Sequence, residues 1–176
     1  MKKNFERFVK IIAILVLGVF AISCGKGGKG SAEPGSIEAI KKAGKIRIGV
    51  FGDKPPFGFV DENGKNQGYD IYLAKRLAKD LLGDENKIEF ITLEAANRVE
   101  YLLSNKVDII LANFTVTDER KQKVDFAKPY MKVSLGIVSP EGAPIKDVKE
   151  LKGKKLIVNK GTTAEIYFTK NYPDIE

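Results

Sequence analysis

Alternating and continuous apolar stretches along the chain predict strands that alternate with amphipathic helices. Lys45–Val50 alternates polar and apolar residues and predicts a first strand. Apolar residues recur at helical spacing in Asp70–Leu82, and Gly83 ends that helix. Val107–Leu111 is apolar and β-branched, as in a strand covered on both faces. The other predicted elements are a helix Ile37–Ala43 between Ser36 and Gly44, a loop Phe51–Phe59, a turn Asp61–Gly64, a strand Lys87–Leu93, a helix Asn97–Leu103 and a helical turn after Thr117.

This alternation predicts an α/β fold with a mostly parallel sheet. Such sheets bind ligands in the crevice beyond the carboxyl ends of their strands. Three segments follow predicted strands and should meet in that crevice, namely Phe51–Phe57, Glu94–Arg98 and Ala112–Arg120. These segments are the first candidates for a functional site.

The same alternation starts again after Tyr130. Two strands do not readily form a covered parallel sheet with a core of its own. We therefore expect 132–176 to be the start of a second α/β lobe in a sequence truncated at its C-terminus. The alternative is that these elements extend the first sheet. The predicted elements are strands Lys132–Val138 and Lys154–Asn159, a short helix Ile145–Leu151 and a helix that opens at Gly161 and runs to about Asn171.

The first residues have the pattern of an export signal. Basic residues precede Ile11–Ile22, an apolar run of 12 residues that is short for a bilayer-spanning helix. Residues 21–24 (AISC) then resemble a bacterial lipobox, in which the cysteine, here Cys24, is diacylated and becomes the new N-terminus. The alternative is a short membrane anchor with an incidental cysteine.

Gly25–Ser36 is rich in Gly, Ser and Lys and predicts a flexible spacer. A lipid followed by such a spacer implies an extracytoplasmic lipoprotein, a folded unit held at the outer face of a bacterial membrane. The predicted organisation is a signal peptide at 1–23, a tether at 24–36, a first α/β lobe at 37–131 and the start of a second lobe at 132–176.

Composition excludes several classes of chemistry. The 176-residue chain has one Cys and no His, which rules out disulfide frameworks, Cys-built zinc sites, His-ligated metals and His-dependent triads. The formal net charge is +7, but basic residues are interspersed with acidic ones instead of forming the patch typical of nucleic-acid proteins. We therefore expect no metal, no cofactor and no nucleic-acid partner.

The sharpest chemical signal lies in Ala112–Arg120, where a strand leads into a polar loop and then a helix whose first turn carries Arg120. Arginine binds carboxylates bidentately, and a bound anion would offset the unfavourable position of a cation at a helix N-terminus. Thr115 and backbone N–H groups could complete such a site. A surface ion pair of Arg120 with neighbouring acids explains the residue equally well.

Two further features could bind an anion. Gly161, Thr162 and Thr163 follow a predicted strand and open a helix, which leaves backbone N–H groups available. A capping Thr explains this pattern equally well. Arg98 opens a helix in the crevice, where a solvated side chain is the alternative.

The chain resembles the family 3 extracellular solute-binding proteins, the receptors of ABC importers for polar amino acids. The resemblance is carried by KIRIGVFGDKPPFGFVDENGKNQGYDIYLAKRLAKDL, by ANFTVTDERKQKVDFAKPY and by LKGKKLIVNKGTTAE. Within the family the chain is most similar to cysteine-binding lipoproteins, through FGDKPPFGF, EAANR and NKGTTAE. The resemblance implies a periplasmic binding protein-like fold of two α/β lobes, with the second lobe incomplete in this chain.

The resemblance also implies roles for residues. Arg120 would bind the α-carboxylate of the ligand, with Thr115 and the backbone of Asn113 beside it. Thr163, next to Gly161 and Thr162, would add a contact from the second lobe. Arg98 matches a basic position that touches the ligand in some members.

Phe51 and Lys54 would line the wall of the first lobe, although many members have an aromatic residue at the Lys54 position. The family binds the ligand ammonium with an Asp well past Gly161, and no residue of this chain matches it.

These observations predict a lipid-anchored monomer that binds a polar amino acid, such as cysteine, and delivers it to an ABC-transporter permease. Two alternatives remain. One is an enzyme on the same scaffold, similar to cyclohexadienyl dehydratase, although Asp53 and Glu94 are the only obvious carboxylates in the crevice loops. The other is a surface antigen or adhesin without transport. We expect a binding protein, not an enzyme.

Overall fold

The computed structural model describes residues 32–176. The predicted signal peptide, Cys24 and most of the tether lie outside the described residues, so these assignments stay predictions. The helices are α1 (Ile37–Ala43), α2 (Tyr69–Leu82), α3 (Arg98–Leu103), α4 (Asp118–Lys121) and α5 (Thr163–Asn171), with 3-10 turns at Ala95–Asn97 and Val148–Leu151. The strands are β1 (Ile46–Val50), β2 (Asp53–Lys54), β3 (Gly58–Val60), β4 (Asn66–Gln67), β5 (Ile88–Thr92) and β6 (Ile109–Leu111).

Local signals in the sequence set the ends of the first elements as predicted. The hydroxyl of Ser36 accepts a hydrogen bond from the N–H of Ala39 at 3.2 Å and caps α1. Gly44 ends α1, and Gly83 ends α2, both in the left-handed conformation. The predicted turn at Asp61–Gly64 is also confirmed, since its first carbonyl accepts from its last N–H at 3.0 Å.

The core is a three-stranded parallel sheet in the order β5-β1-β6. Its register places Ile48 of β1 between Phe90 of β5 and Ile109 of β6. Helix α2 packs its apolar face, which includes Ile71 and Ala74, into the same buried cluster as Ile48. The predicted α/β core is therefore confirmed, with small shifts at the ends of the strands. This sheet fixes where the loops after β1, β5 and β6 meet.

The predicted loop Phe51–Phe59 is wrong in part, because it contains two short strands. Strands β2 and β3 pair antiparallel with Asp53 opposite Phe59, and β4 adds a third strand. Pro55 and Pro56 fall between the paired segments, where no ladder N–H is needed. The extended residues on either side of the prolines can therefore pair. The Gly and Pro content of the segment favoured a loop and gave no sign of this pairing.

The strands predicted at Lys132–Val138 and Lys154–Asn159 are wrong, since both segments run as irregular chain. A strand needs a ladder of backbone hydrogen bonds to a neighbouring strand, and neither segment forms one among residues 32–176, where Leu156 makes a single such bond, to the carbonyl of Glu176. The alternative that they extend the first sheet is wrong for the same reason. Val138 and Ile157 are 99% and 94% exposed, so these apolar side chains are not buried against another part of the described chain.

The helices predicted in this part are closer to the structure. Helix α5 begins after Thr162, whose side chain caps it, in agreement with the alternative of a capping Thr. The predicted helix Ile145–Leu151 is reduced to the 3-10 turn Val148–Leu151. Its start is fixed by Asp147, which accepts a hydrogen bond from the N–H of Lys149 at 2.8 Å. No helix formed by residues 32–176 is long and apolar enough to cross a membrane.

The buried centre of β1 should dominate the stability of this core. We expect Ile48→Ala to lower the free energy of unfolding by about 2–5 kcal/mol, because Ile48 is fully buried and its truncation leaves a cavity. Denaturant-induced unfolding would measure the loss. The matched control is Ile37→Ala, since Ile37 is 55% exposed and should lose little. Equal losses for the two variants would contradict the assignment of β1 as the central strand.

Candidate anion-binding site

Arg120 points inward. Thr117 caps its helix, α4, because the Oγ1 of Thr117 accepts a hydrogen bond from the N–H of Arg120 at 3.3 Å. The Arg120 side chain is buried, and its guanidinium donates to the carbonyls of Thr115 at 2.7 Å and Gly161 at 2.9 Å. The alternative of a surface ion pair with neighbouring acids is wrong among the described residues. The acids at 118 and 119 pair instead with Lys121 and Lys123.

Arg98 is even more deeply buried, with 3% of its surface exposed. It opens α3 directly after the 3-10 turn, and its Nε–H donates to the carbonyl of Ala95 at 2.9 Å. One Nη donates to the carbonyls of Ala112 and Asn113, both at 3.0 Å. The other Nη donates to the carbonyl of Gly161 at 2.9 Å. The alternative of a solvated Arg98 is therefore wrong.

The two arginines converge on one oxygen and one aromatic ring. Both guanidiniums donate to the Gly161 carbonyl. Both also lie over the ring of Phe114, with each Cζ 4.7 Å from its centroid. Phe114 was not among the site residues predicted from the sequence. The signal that could have found it is its position between Asn113 and Thr115, at the end of the strand that leads to Arg120.

The charges of this cluster are not neutralised by the protein. Among the ion pairs of residues 32–176, none includes Arg98 or Arg120. Burial, and then the charge of Arg120, lowers the pKa of Arg98 to about 10. Burial also lowers the pKa of Arg120, with Glu119 acting in the opposite direction. Two buried cations without a counterion are unfavourable, and a bound anion would relieve that cost.

The two guanidiniums differ in how many donors remain available. Arg98 uses four hydrogen bonds to backbone carbonyls. Arg120 uses two of its five N–H donors within the described residues. Arg98 therefore acts mainly as a brace between backbone segments, whereas Arg120 has free donors for a ligand.

The Gly161 loop closes the site from the second half of the chain. Gly161 has a φ of +77°, and a Cβ there would lie 2.6 Å from the Cα of Ala96. Only glycine fits this close approach. The N–H of Gly161 donates to Glu165 at 2.6 Å, which ties the loop to α5. The side chain of Thr162 caps α5 and donates to the carbonyl of Asn159, so it is occupied by the helix cap.

The other predicted site residues are placed as follows. Asn113 and Thr115 contribute backbone carbonyls, and Thr163 is the first residue of α5 beside the Gly161 loop. Phe51 is buried, with the Cζ of Arg98 5.7 Å and the Nζ of Lys54 5.5 Å from its ring centroid. Lys54 also pairs with the carboxylate next to it in the chain. The structure thus brings Arg98, Arg120 and Gly161 into direct contact, with Phe51 beside Arg98. The expectation that the Gly161 N–H is available to an anion is wrong, because that N–H donates to Glu165 and Gly161 contributes its carbonyl instead.

The sequence matches the family model of the bacterial extracellular solute-binding proteins, family 3, over residues 46–174. The chain therefore belongs to this family, and the predicted periplasmic binding protein-like α/β fold is confirmed. As the family description says, its members are extracellular.

Curated relatives of the chain are also amino-acid-binding proteins. The ABC transporter glutamine-binding protein GlnH of Bacillus subtilis (strain 168) is 35% identical, over 94% of this chain and 64% of the relative. The L-cystine-binding protein TcyJ of Escherichia coli (strain K12) is 31% identical, over 92% of this chain and 61% of the relative. The chain therefore spans less than two thirds of the length of these relatives.

Solved structures are also similar. The cysteine-binding protein from Campylobacter jejuni is 64% identical with a TM-score of 0.78, over 80% of this chain and 56% of that one. The L-cysteine solute receptor of Neisseria gonorrhoeae gives the same identity and TM-score, over 80% and 57% of the two chains. An ancestral amino acid-binding protein, described as a precursor of cyclohexadienyl dehydratase, is 37% identical with a TM-score of 0.73, over 78% and 61%.

The contact of Gly161 with the 3-10 turn can be tested by adding one methyl group. We expect Gly161→Ala to lower the free energy of unfolding by about 1–3 kcal/mol, because alanine at this φ is strained and its Cβ meets backbone atoms. Thermal unfolding would measure the change. Gly142→Ala is the matched control, since a Cβ at Gly142 meets open space. A loss no larger than that of the control would show that the loop does not dock at this turn.

Proposed function

We propose that the full-length protein is an extracytoplasmic receptor that binds a polar amino acid, with L-cysteine as its ligand, and delivers it to an ABC-transporter permease. The observation that carries the proposal is the pair of buried guanidiniums, Arg98 and Arg120, which have no carboxylate partner among the described residues.

The carboxylate of an amino acid fits this cluster chemically. The Gly161 oxygen already accepts hydrogen bonds from both arginines, so the cluster is arranged to bind an oxygen acceptor. A carboxylate would use the remaining donors of Arg120 and add the charge that a carbonyl lacks. Hydrogen bonds to charged groups contribute about 1.5–3 kcal/mol each, and a few of them supply much of the ~8 kcal/mol of micromolar binding.

The described residues favour the carboxylate end of the ligand over its ammonium end. The carboxylate of Asp53 pairs with Lys54, and that of Glu165 accepts from the N–H of Gly161. Glu94, the other carboxylate of the crevice loops, is exposed. We therefore propose that the described residues form the carboxylate-binding half of the ligand site.

The choice of L-cysteine is supported by the relatives. Two solved structures at 64% identity are named as a cysteine-binding protein and an L-cysteine receptor. In this chain Phe51 and Lys54 form the wall beside the arginines, with the ammonium of Lys54 over the aromatic ring. A small polar side chain such as a thiol is compatible with a wall made of one ring and one cation.

We propose that the receptor is tethered by a lipid on Cys24 and works with a membrane permease. The lipobox-like residues 21–24 and the Gly-rich spacer support the tether. The transporter named for the Bacillus subtilis relative supports the permease. We further propose binding without turnover, since the curated relatives described above are binding proteins.

Calorimetric titration of the full-length protein with the twenty amino acids tests the proposal. We expect L-cysteine to give micromolar or tighter binding. Heat with none of the twenty amino acids would reject the receptor function, and turnover of arogenate or prephenate would favour the dehydratase instead.

The role of Arg120 has its own test. We expect Arg120→Ala to weaken L-cysteine binding by at least about 1.5–3 kcal/mol, because the charged hydrogen bonds to the carboxylate are lost. Arg76→Ala is the control, since Arg76 is exposed on α2 and pairs with Asp80. A dissociation constant that Arg120→Ala leaves unchanged would mean that the carboxylate binds elsewhere.

A further inference from the structure

One aromatic ring lies against both buried cations. Phe114 follows the end of β6, and the Cζ atoms of Arg98 and Arg120 each lie 4.7 Å from its ring centroid. A guanidinium within about 6 Å of an aromatic face is attracted by the negative charge of the π system. Phe51 also faces Arg98, at 5.7 Å, whereas Arg120 has no such contact besides Phe114 in the described part of the chain. Phe114 is therefore the ring that the two arginines share.

The hydrogen bonds of the cluster leave a charge that this ring can offset. Both guanidiniums donate to the Gly161 carbonyl, and no carboxylate among residues 32–176 pairs with either of them. Arg98 and Arg120 are 3% and 7% exposed, so water screens their mutual repulsion poorly. The attraction of a cation to an aromatic face is also stronger where water is excluded. The ring thus lies where a favourable contact with both charges has the largest effect.

The packing of Phe114 differs from that of a core residue. Its ring is half-buried, lies outside both buried apolar clusters of the described residues and lines a cavity of about 650 Å³ together with Phe126. Phe126 packs against it with ring centroids 5.1 Å apart, and in 32–176 it makes no cation–π contact with either guanidinium. Phe126 therefore supports the ring of Phe114, and Phe114 is the one of the two that contacts the arginines.

The contact with the ring matters most for Arg120. Arg98 is held by four hydrogen bonds to backbone carbonyls, whereas the guanidinium of Arg120 makes two within the described residues. Fewer hydrogen bonds leave a guanidinium freer to turn, so the ring is a larger part of what orients Arg120. That orientation has a consequence for binding, because the planar donors of an arginine must face a carboxylate to bind it bidentately.

We propose that Phe114 is a positioning residue for the anion site: its ring holds the guanidiniums of Arg98 and Arg120 side by side through cation–π attraction and keeps Arg120 oriented toward the ligand carboxylate. The effect on ligand affinity rests on the proposed function, whereas the effect on the guanidiniums of the ligand-free protein does not.

Fluorination of the ring tests the attraction with little change in shape. Phe114 is replaced in the full-length protein by phenylalanine carrying one, two or three ring fluorines, which withdraw charge from the π system. We expect L-cysteine binding to weaken with each added fluorine, to about tenfold with three. The same series at Phe126 is the matched control and should change binding little. Affinity that stays constant along the series at Phe114, or falls equally at Phe126, would overturn the effect on affinity.

The ligand-free protein provides a readout that does not depend on binding. We expect Phe114→Leu to speed hydrogen exchange of the Arg98 and Arg120 side-chain N–H groups about tenfold in NMR spectra, while the amides of α2 and β1 keep their protection. Phe114→Tyr retains an aromatic ring and should keep exchange close to that of the unmodified protein. Unchanged exchange in Phe114→Leu, or equal acceleration in Phe114→Tyr, would contradict the positioning role.

The two experiments separate this proposal from the proposed function. If the unmodified protein binds no amino acid, the proposed function fails, and the exchange experiment alone decides whether Phe114 orders the guanidiniums. If Phe114→Leu does not fold, the three fluorinated proteins replace it in the exchange experiment, and we expect exchange to rise with the number of fluorines. Constant exchange along that series would overturn the proposal.

Discussion

The described site depends on two buried guanidiniums that share one carbonyl oxygen. Arg98 and Arg120 both donate to Gly161 and both lie over the ring of Phe114. Two positive charges in the same buried site repel each other, which is unfavourable. Backbone carbonyls offset part of that cost, but they carry no net charge, and the described residues provide no carboxylate. The two guanidiniums can therefore be buried together, and they still favour the binding of an anion.

The sheet explains why these groups meet. Parallel strands β5, β1 and β6 direct their carboxyl ends to one edge, where the loops carrying Arg98, Phe51 and Asn113 follow. The Gly161 loop then docks on the turn before α3, at a distance that only glycine allows. A carboxylate bound to the remaining donors of Arg120 would lie beside the Gly161 carbonyl, which the same guanidinium already binds.

Hydrophobic periodicity predicted the β1, β5 and β6 strands and α2, because their apolar faces bury against one another. It failed at 132–138 and 154–159, because a strand also requires a pairing partner that periodicity does not reveal. Arg120 was recognisable from its position after a strand, yet its direction stayed open, since the sequence shows neither burial nor the docking of Gly161. The packing of Arg98 against Phe114 joins two different loops, which periodicity does not show.

A crystal structure of the full-length protein with L-cysteine tests the central claim most directly. The account predicts a ligand carboxylate oxygen within hydrogen-bonding distance of the Arg120 guanidinium, with the ring of Phe114 still beneath both arginines. A ligand bound elsewhere, with the Gly161 carbonyl still taking both guanidinium donors, would contradict it.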